Sequence, residues 1–259
     1  MERAGMDIQI ERAGDVTTIA INRPGRKNAI TAAMYQTMAD ALADTQSDDT
    51  VRAILLRGSA GTFCAGNDLE DFLKTPPVGE DAPVFRFLRA ISSAEKPIVA
   101  AVAGAAVGIG TTMLLHCDLV YAADTATFAL PFTQLGLCPE AASSLLLQRV
   151  AGYQAAAEKL LLGEAFDAHE ALRMGFVNRL LPAAEVDAFA LQQARKLAAL
   201  PPASLRVTKS LMKRANQHEI QTQMTDEAAH FAKMLLAPAA REAFTAFFEK
   251  RKPDFRSVS

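Results

Sequence analysis

The sequence holds little of what builds a cross-linked, metal-bound or membrane-bound protein. Its three cysteines, Cys64, Cys117 and Cys138, are odd in number, widely spaced and set among apolar neighbours. That argues against a disulfide framework or a zinc cluster and predicts buried, reduced thiols. The four histidines, His116, His169, His218 and His230, show no paired spacing of the His-Glu-x-x-His kind, so no metal site is expected. Neither sign of charge dominates: the formal net charge is -2, with no basic patch, which sets aside nucleic acid and anionic membrane surfaces as partners. The longest apolar run, Pro97 to Gly110, is interrupted by Gly104, Gly108 and Gly110 and is too short to span a bilayer. Met1 to Glu11 is charged throughout and lacks the apolar stretch of a secretory signal, so a cytoplasmic location is expected.

What the chain does have is core: half of its 259 residues are apolar, enough for one large domain or a main domain with a smaller appendage. The first half alternates strand-like and helix-like segments, the pattern of an α/β fold. The β-rich run from Asp15 to Asn22 is stopped by Arg23-Pro24-Gly25. Val51 to Leu56 and Ile98 to Val102 are continuous apolar runs, as strands covered on both faces should be. A helix is predicted from Thr31, and Thr75 to Asp81, with two prolines and a glycine, predicts an exposed loop. Beyond Pro139 only Phe176 to Leu181 reads as strand. Helices are predicted over Glu140 to Val150, Tyr153 to Leu162, Ala183 to Leu200, Ala203 to Ala215, Glu219 to Leu236 and Ala239 to Arg251, with prolines at several of the boundaries. The composition shift divides the chain into an α/β core over 1–200 and a helical C-terminal region over 201–259.

Two glycine-containing turns, Thr62 to Leu69 and Ala106 to Leu115, each lead into a predicted helix. A backbone N–H at a helix start has no partner within the helix, and the helix dipole adds partial positive charge there. Glycine beside the donor lets the chain approach a ligand closely. Gly66 before Asn67, and Gly108 and Gly110 around Ile109, single out the N–H groups of Asn67 and Ile109 as a pair able to hold one oxyanion. Taken alone, either glycine reads as a packing device.

Phe63-Cys64-Ala65-Gly66-Asn67-Asp68-Leu69, the strand Lys96 to Gly104, Gly108-x-Gly110 and Cys117-Asp118 together resemble the crotonase, or enoyl-CoA hydratase/isomerase, superfamily. Asn22-Arg23-Pro24 with Asn28-Ala29, and Phe247 to Phe255, resemble its first substrate turn and its C-terminal helix, so the likeness spans nearly the whole chain. The resemblance implies an α/β crotonase fold: a spiral of ββα units with an α-helical C-terminal part, assembled as trimers or pairs of trimers. It also implies an acyl-CoA thioester ligand, coenzyme A being part of the substrate and no separate cofactor being needed. Carried over residue by residue, it places Arg26, Lys27, Asn28, Ala65, Gly66, Asp68, Leu69 and Gly110 against that ligand. It also matches Phe247 and Lys250 to positions that reach a neighbouring subunit's ligand. Local sequence gives those last two a blander reading: Lys250 lies in a solvated charge run, and Phe247 on a helix reads as core.

In the resemblance, hydratases place two catalytic glutamates where this chain has Thr112 and Phe132, neither able to act as a base near neutral pH. The segment Pro131 to Ser144 is similar instead to the Δ3,Δ2-enoyl-CoA isomerases of the peroxisomal type, which implies that Glu140 alone moves the proton from C2 to C4. By local sequence Glu140 reads as a first-turn acid that complements a helix dipole. Its apolar neighbours, such as Phe132, Leu135, Leu137 and Leu145, are expected to raise its pKa. His116 reads as a satisfied core residue, and Asp68, Glu70 and Asp71 as helix-start charges. Other outcomes consistent with the pattern are an atypical hydratase, another enolate-forming acyl-CoA isomerase or hydrolase, and a catalytically silent acyl-CoA binder. The ending Arg256-Ser257-Val258-Ser259 is no Ser-Lys-Leu-type peroxisomal address.

Overall fold

The computed structural model describes residues 7–74, 77, 79 and 81–258. Most of the predicted loop from Thr75 to Asp81 therefore lies outside the described residues, as do Met1 to Met6. In chain order the elements are β1 (Ile8–Ala13), β2 (Val16–Ile21), α1 (Ala32–Ser47), β3 (Ala53–Arg57), α2 (Leu69–Lys74), α3 (Pro83–Ser93), β4 (Ile98–Val102), β5 (Ala105–Val107), α4 (Ile109–Thr112), β6 (Leu119–Ala123) and β7 (Thr127–Ala129). They are followed by α5 (Ser143–Ala151), α6 (Tyr153–Leu162), β8 (Phe166–Asp167), α7 (Ala168–Met174), β9 (Arg179–Leu181), α8 (Val186–Ala198), α9 (Pro202–Leu235) and α10 (Pro238–Phe248).

The strands form two sheets. A six-stranded sheet runs in the order β1-β2-β3-β4-β6-β9, with β1 antiparallel to β2 and the rest parallel; a three-stranded sheet runs β5-β7-β8. From β4 onward the chain alternates between them, β4 and β6 in the first, β5 and β7 in the second, with a helix after each pair, which is a spiral of ββα units. The continuous apolar runs become β3, buried but for its last residue, and β4, buried along its length. Parallel strands covered on both faces leave no polar positions to alternate with. Part of that cover is α8, whose buried Val186, Ala190, Ala194 and Ala198 recur every fourth residue, a stripe of mostly small side chains that seats the helix close on β3, β4 and β6.

Three sequence expectations are corrected. The helices predicted over Ala203 to Ala215 and Glu219 to Leu236 are one, α9, of 34 residues. Nothing between Pro202 and Pro238 breaks a helix, since Asn216-Gln217-His218 is merely polar. Glu140 is not in a helical turn, because α5 starts at Ser143: Ala141 and Ala142 both take left-handed φ, 60° and 55°. Asn67 is not at a helix start either. It lies in a parallel bridge with Ile30, and α2 begins at Leu69, with Asp68 accepting from the N–H groups of Glu70 and Asp71, each at 3.1 Å.

Candidate active site

The two glycine turns are joined by backbone pairing before any ligand is considered. Cys64 N–H donates to Ala105 O at 3.0 Å, and Val107 N–H donates back to Cys64 O at 2.9 Å, so the first turn lies alongside β5. Gly66 (φ 98°) and Gly108 (φ 54°) then touch: a Cβ placed on Gly108 would sit 4.0 Å from the Gly66 Cα, and one on Gly66 would meet Val107 O at 3.3 Å. Both positive φ values favour glycine. Ile30 bonds to the residues on either side of Asn67, donating to Gly66 O and accepting from Asp68 N–H, each at 2.9 Å. Parallel pairing therefore turns the N–H of Asn67 itself away from Ile30. Across the contact, Gly108 O takes the N–H groups of Thr111 and Thr112, and the N–H of Ile109, first in α4, has no acceptor in its own helix. Asn67, Gly108 and Ile109 border one cavity of about 1000 Å³.

The carboxyl that shares this cavity is Glu140. Its side chain is only 9 % exposed, and Oε1 has no hydrogen-bond partner among the described residues. Burial, and then the nearby Glu227 carboxylate, push its pKa up to about 8. The left-handed pair Ala141-Ala142 that aims it costs about 1–2 kcal/mol per residue, so it must be held. His116 Nε2 lies 2.8 Å from Ala141 O. Burial, opposed in part by that bond, lowers the His116 pKa to about 4, so the ring is neutral and donates. On the other side Glu227 Oε2 accepts the Ala142 N–H at 2.6 Å, and Oε1 accepts from the Ser144 N–H at 3.1 Å and from the Ser144 hydroxyl.

The structure brings together Asn67, Ile109 and Glu140 with Arg26, Lys27, Ala65, Gly66, Asp68, Leu69 and Phe247 around the cavity. Asn28, Gly110 and Lys250 are not part of its lining. Asn28 is buried and works as a clamp: Oδ1 accepts the Arg23 N–H at 2.9 Å, and Nδ2 donates to Ser59 O and Thr62 O at 3.1 and 2.7 Å. Gly110 is a close-packing point, since a Cβ there would lie 2.6 Å from Cys64 O. At the C-terminal end the cations in the lining are Arg251 and Lys252. Phe247, 60 % exposed, borders the cavity from α10.

Asp68 borders the cavity as a paired anion. Burial alone would raise its pKa, but the 2.7 Å bond from Arg23 and the Asp71 N–H bring it below the ordinary value. A second cavity, of about 360 Å³, shares Glu140, Phe72 and Phe231 with the first and is otherwise mostly apolar, with Phe85 and Leu88 of α3 facing Met224 and Leu235 of α9. Sequence reasoning missed Glu227, which looks like any charged residue of a long helix. It also missed Tyr35, whose buried hydroxyl donates to Asn67 Oδ1 at 2.5 Å and fixes that side chain beside the first turn. Among the described residues no group of three or more His, Cys, Asp or Glu is placed to hold a metal ion, and no helix is long and apolar enough to cross a membrane.

The sequence model of the family described as enoyl-CoA hydratase/isomerase matches residues 11–258. The enoyl-CoA delta isomerase 2 of Rattus norvegicus is 35 % identical over 252 residues, which are 95 % of this chain and 64 % of that protein. The 1,2-epoxyphenylacetyl-CoA isomerase of Escherichia coli K12 is also 35 % identical, over 93 % of this chain and 94 % of its own. Among solved structures, an enoyl-CoA hydratase/isomerase from Pseudoalteromonas atlantica T6c superposes with a TM-score of 0.92 at 44 % identity, covering 96 % of this chain and all of the other.

Proposed function

The chain belongs to the enoyl-CoA hydratase/isomerase family and has the crotonase fold, and from that premise we propose that it is a Δ3,Δ2-enoyl-CoA isomerase with Glu140 as its single acid/base. The observation that carries this reading is the buried carboxyl of Glu140, one oxygen unpartnered among the described residues, in the cavity that the Asn67 and Ile109 turns border. Glu227, the other carboxylate nearby, is engaged by three donors and does not border that cavity. Thr112 and Phe132 stand where a hydratase of this family would carry its two glutamates.

In the proposed reaction the thioester carbonyl accepts from the Asn67 and Ile109 N–H groups. Glu140 takes a proton from C2 of a 3-enoyl-CoA, and the dienolate charge gathers on the held oxygen. The Glu140 carboxyl then returns the proton to C4. A carboxyl with its pKa raised to about 8 suits both halves, because it is a stronger base than an exposed glutamate and holds the proton until C4 receives it. The acyl tail extends past Glu140 into the second, apolar cavity, and the nucleotide end lies toward Arg26, Lys27, Arg251 and Lys252. Trimers or pairs of trimers complete this reading; the exposed Tyr153, Leu161 and Leu162 on α6 and Phe248 on α10 are apolar surface that such an assembly would cover.

The test is Glu140→Gln. Turnover of a 3-enoyl-CoA is expected to fall by about a thousandfold or more, with thioester binding by calorimetry retained. Undiminished turnover would remove the proposal. The same assay run on a 2-enoyl-CoA separates hydration, which yields a hydroxyacyl product, from isomerisation, which does not. Its relatives include both isomerases and a 2,3-dehydroadipyl-CoA hydratase of Escherichia coli K12, so both substrates belong in the assay.

A further inference from the structure

Glu227 is a buried carboxylate that the proposed reaction does not use, and its surroundings are specific. It sits on α9, 85 residues along the chain from Ala142, and reaches across to the start of α5. That start lacks a cap of its own: the N-cap residue is Ala142, in left-handed backbone, and the first turn holds no acid. Glu227 supplies both missing things from another helix, accepting the Ala142 and Ser144 N–H groups and the Ser144 hydroxyl. Gln223, one turn earlier on α9, donates to the same hydroxyl at 2.9 Å. Two carboxyls thus lie close together in unlike settings. Burial raises the pKa of Glu227 as well, but the Ser144 hydroxyl and the Ser144 and Ala142 N–H groups oppose it by favouring the charged form, whereas Glu140 Oε1 has no donor among the described residues. When neighbouring acids are treated so differently, the donor-rich one ionises first and its fixed charge makes the other harder to ionise.

We infer that Glu227 is the positioning residue of this site: it pins the left-handed turn that aims Glu140, and its fixed negative charge keeps Glu140 a strong base. The groups facing Glu140 fit the second half of that statement. Tyr35 on α1, Cys64 in the first glycine turn and Cys138 just upstream are all neutral at ordinary pH, their pKa values raised first by burial. His116, behind Ala141, is neutral as well. After burial, the influence that raises the proton affinity of Glu140 is the charge of Glu227.

The catalytic consequence rests on the isomerase reading, but the coupling of the two carboxyls does not, so it is measured without turnover. In protein labelled with carbon-13 at the glutamate carboxyls, the Glu140 resonance is identified by its loss in Glu140→Gln. Its midpoint should fall by about one pH unit or more in Glu227→Gln, a tenfold loss of proton affinity. In Glu227→Asp, which keeps the charge while loosening the turn, it should stay nearer the unmutated value. An unmoved midpoint in folded Glu227→Gln overturns the inference, and so does an equal fall in Glu227→Asp, which would mean that the turn alone matters. Should the neutral variant not fold, the unmutated protein answers: Glu227 must titrate below Glu140, and the reverse order overturns the proposal. With a 3-enoyl-CoA as substrate, the acid limb of kcat/KM should move to lower pH with the same midpoint. A protein that shows the carboxyl shift but no isomerase activity would refute the functional reading and leave this inference standing.

Discussion

A buried carboxyl costs the fold stability, and at Glu140 the sign and the pH window follow from its surroundings. Burial and Glu227 raise its pKa from 4.5 to about 8 in the folded chain. Between those values the folded state holds a proton that the unfolded state has released. The contribution is thus favourable at low pH and is lost as pH rises through about 8, the reverse of an ion-paired carboxylate. Glu140→Gln cannot ionise and escapes the loss. It should unfold at nearly the same denaturant midpoint as the parent at pH 4.5, and be more stable by a few kcal/mol at pH 9. Chemical denaturation at the two pH values measures this; an equal difference at both would mean that Glu140 ionises freely in the folded protein. Such a trade of stability for reactivity fits an oxygen that no described residue donates to, beside the strained Ala141-Ala142 turn.

At the scale of elements, α9 and α3 decide which acyl tails the proposed binding mode can take. The second cavity lies between them, with Phe85, Leu88, Met224 and Leu235 in its wall and the carboxyls of Glu140 and Glu227 at one end. A hydrocarbon tail gains by entering it, by roughly 25 cal/mol for each Å² of apolar surface buried. A tail ending in a carboxylate would bring a third acid into an apolar pocket that already holds two, where an unpaired charge is costly. A straight-chain C6 or C8 3-enoyl-CoA should therefore exceed its ω-carboxy analogue in kcat/KM by about a hundredfold or more, and parity in that comparison would place the tail elsewhere. The pocket was hard to foresee, because its wall depends on α9 being unbroken while the sequence suggested a pause near Asn216-Gln217-His218. The strands β2, β3 and β4, the helix after Thr31 and both glycine turns were legible because each is dictated locally, by continuous apolarity, a cap or a required positive φ. The three-residue strands β5 and β7 and the two-residue β8 were not, since their pairing is set by partners far along the chain. Glu227 went unseen for the same reason: only the folding of α9 onto α5 makes it a cap.

For the molecule as a whole, the net charge of -2 conceals a local field. Arg26 and Lys27 follow the first strand pair and Arg251 and Lys252 follow the last helix, yet the fold sets all four around one cavity. Not all of that charge is free. Arg26 is bonded to Glu70 at 2.8 Å, and Arg251 to Glu242 and Glu249 at 2.5 and 2.6 Å. The Arg26–Glu70 pair is exposed at both ends, contributes little to stability and can give way to a better anion, whereas Arg251 holds the half-buried Glu242 through both of its terminal nitrogens. In the proposed binding mode a CoA thioester brings several phosphate charges to this region, and a pantetheine thioester of the same acyl chain brings none. Raising the ionic strength from about 0.05 to 0.5 M shortens the screening length from roughly 14 to 4 Å, which should weaken the first ligand and spare the second. KM for a 3-enoyl-CoA is thus expected to rise severalfold over that range while KM for the 3-enoyl-pantetheine stays within a factor of two. Replacing Lys27 and Lys252 with alanine together should raise KM for the CoA thioester at low salt and flatten its salt dependence, leaving kcat nearly unchanged, because the proposed proton transfer and oxyanion contacts belong to Glu140, Asn67 and Ile109. Equal salt responses for the two thioesters would mean that the four cations serve the surface of the protein and that the nucleotide is held by another part of it.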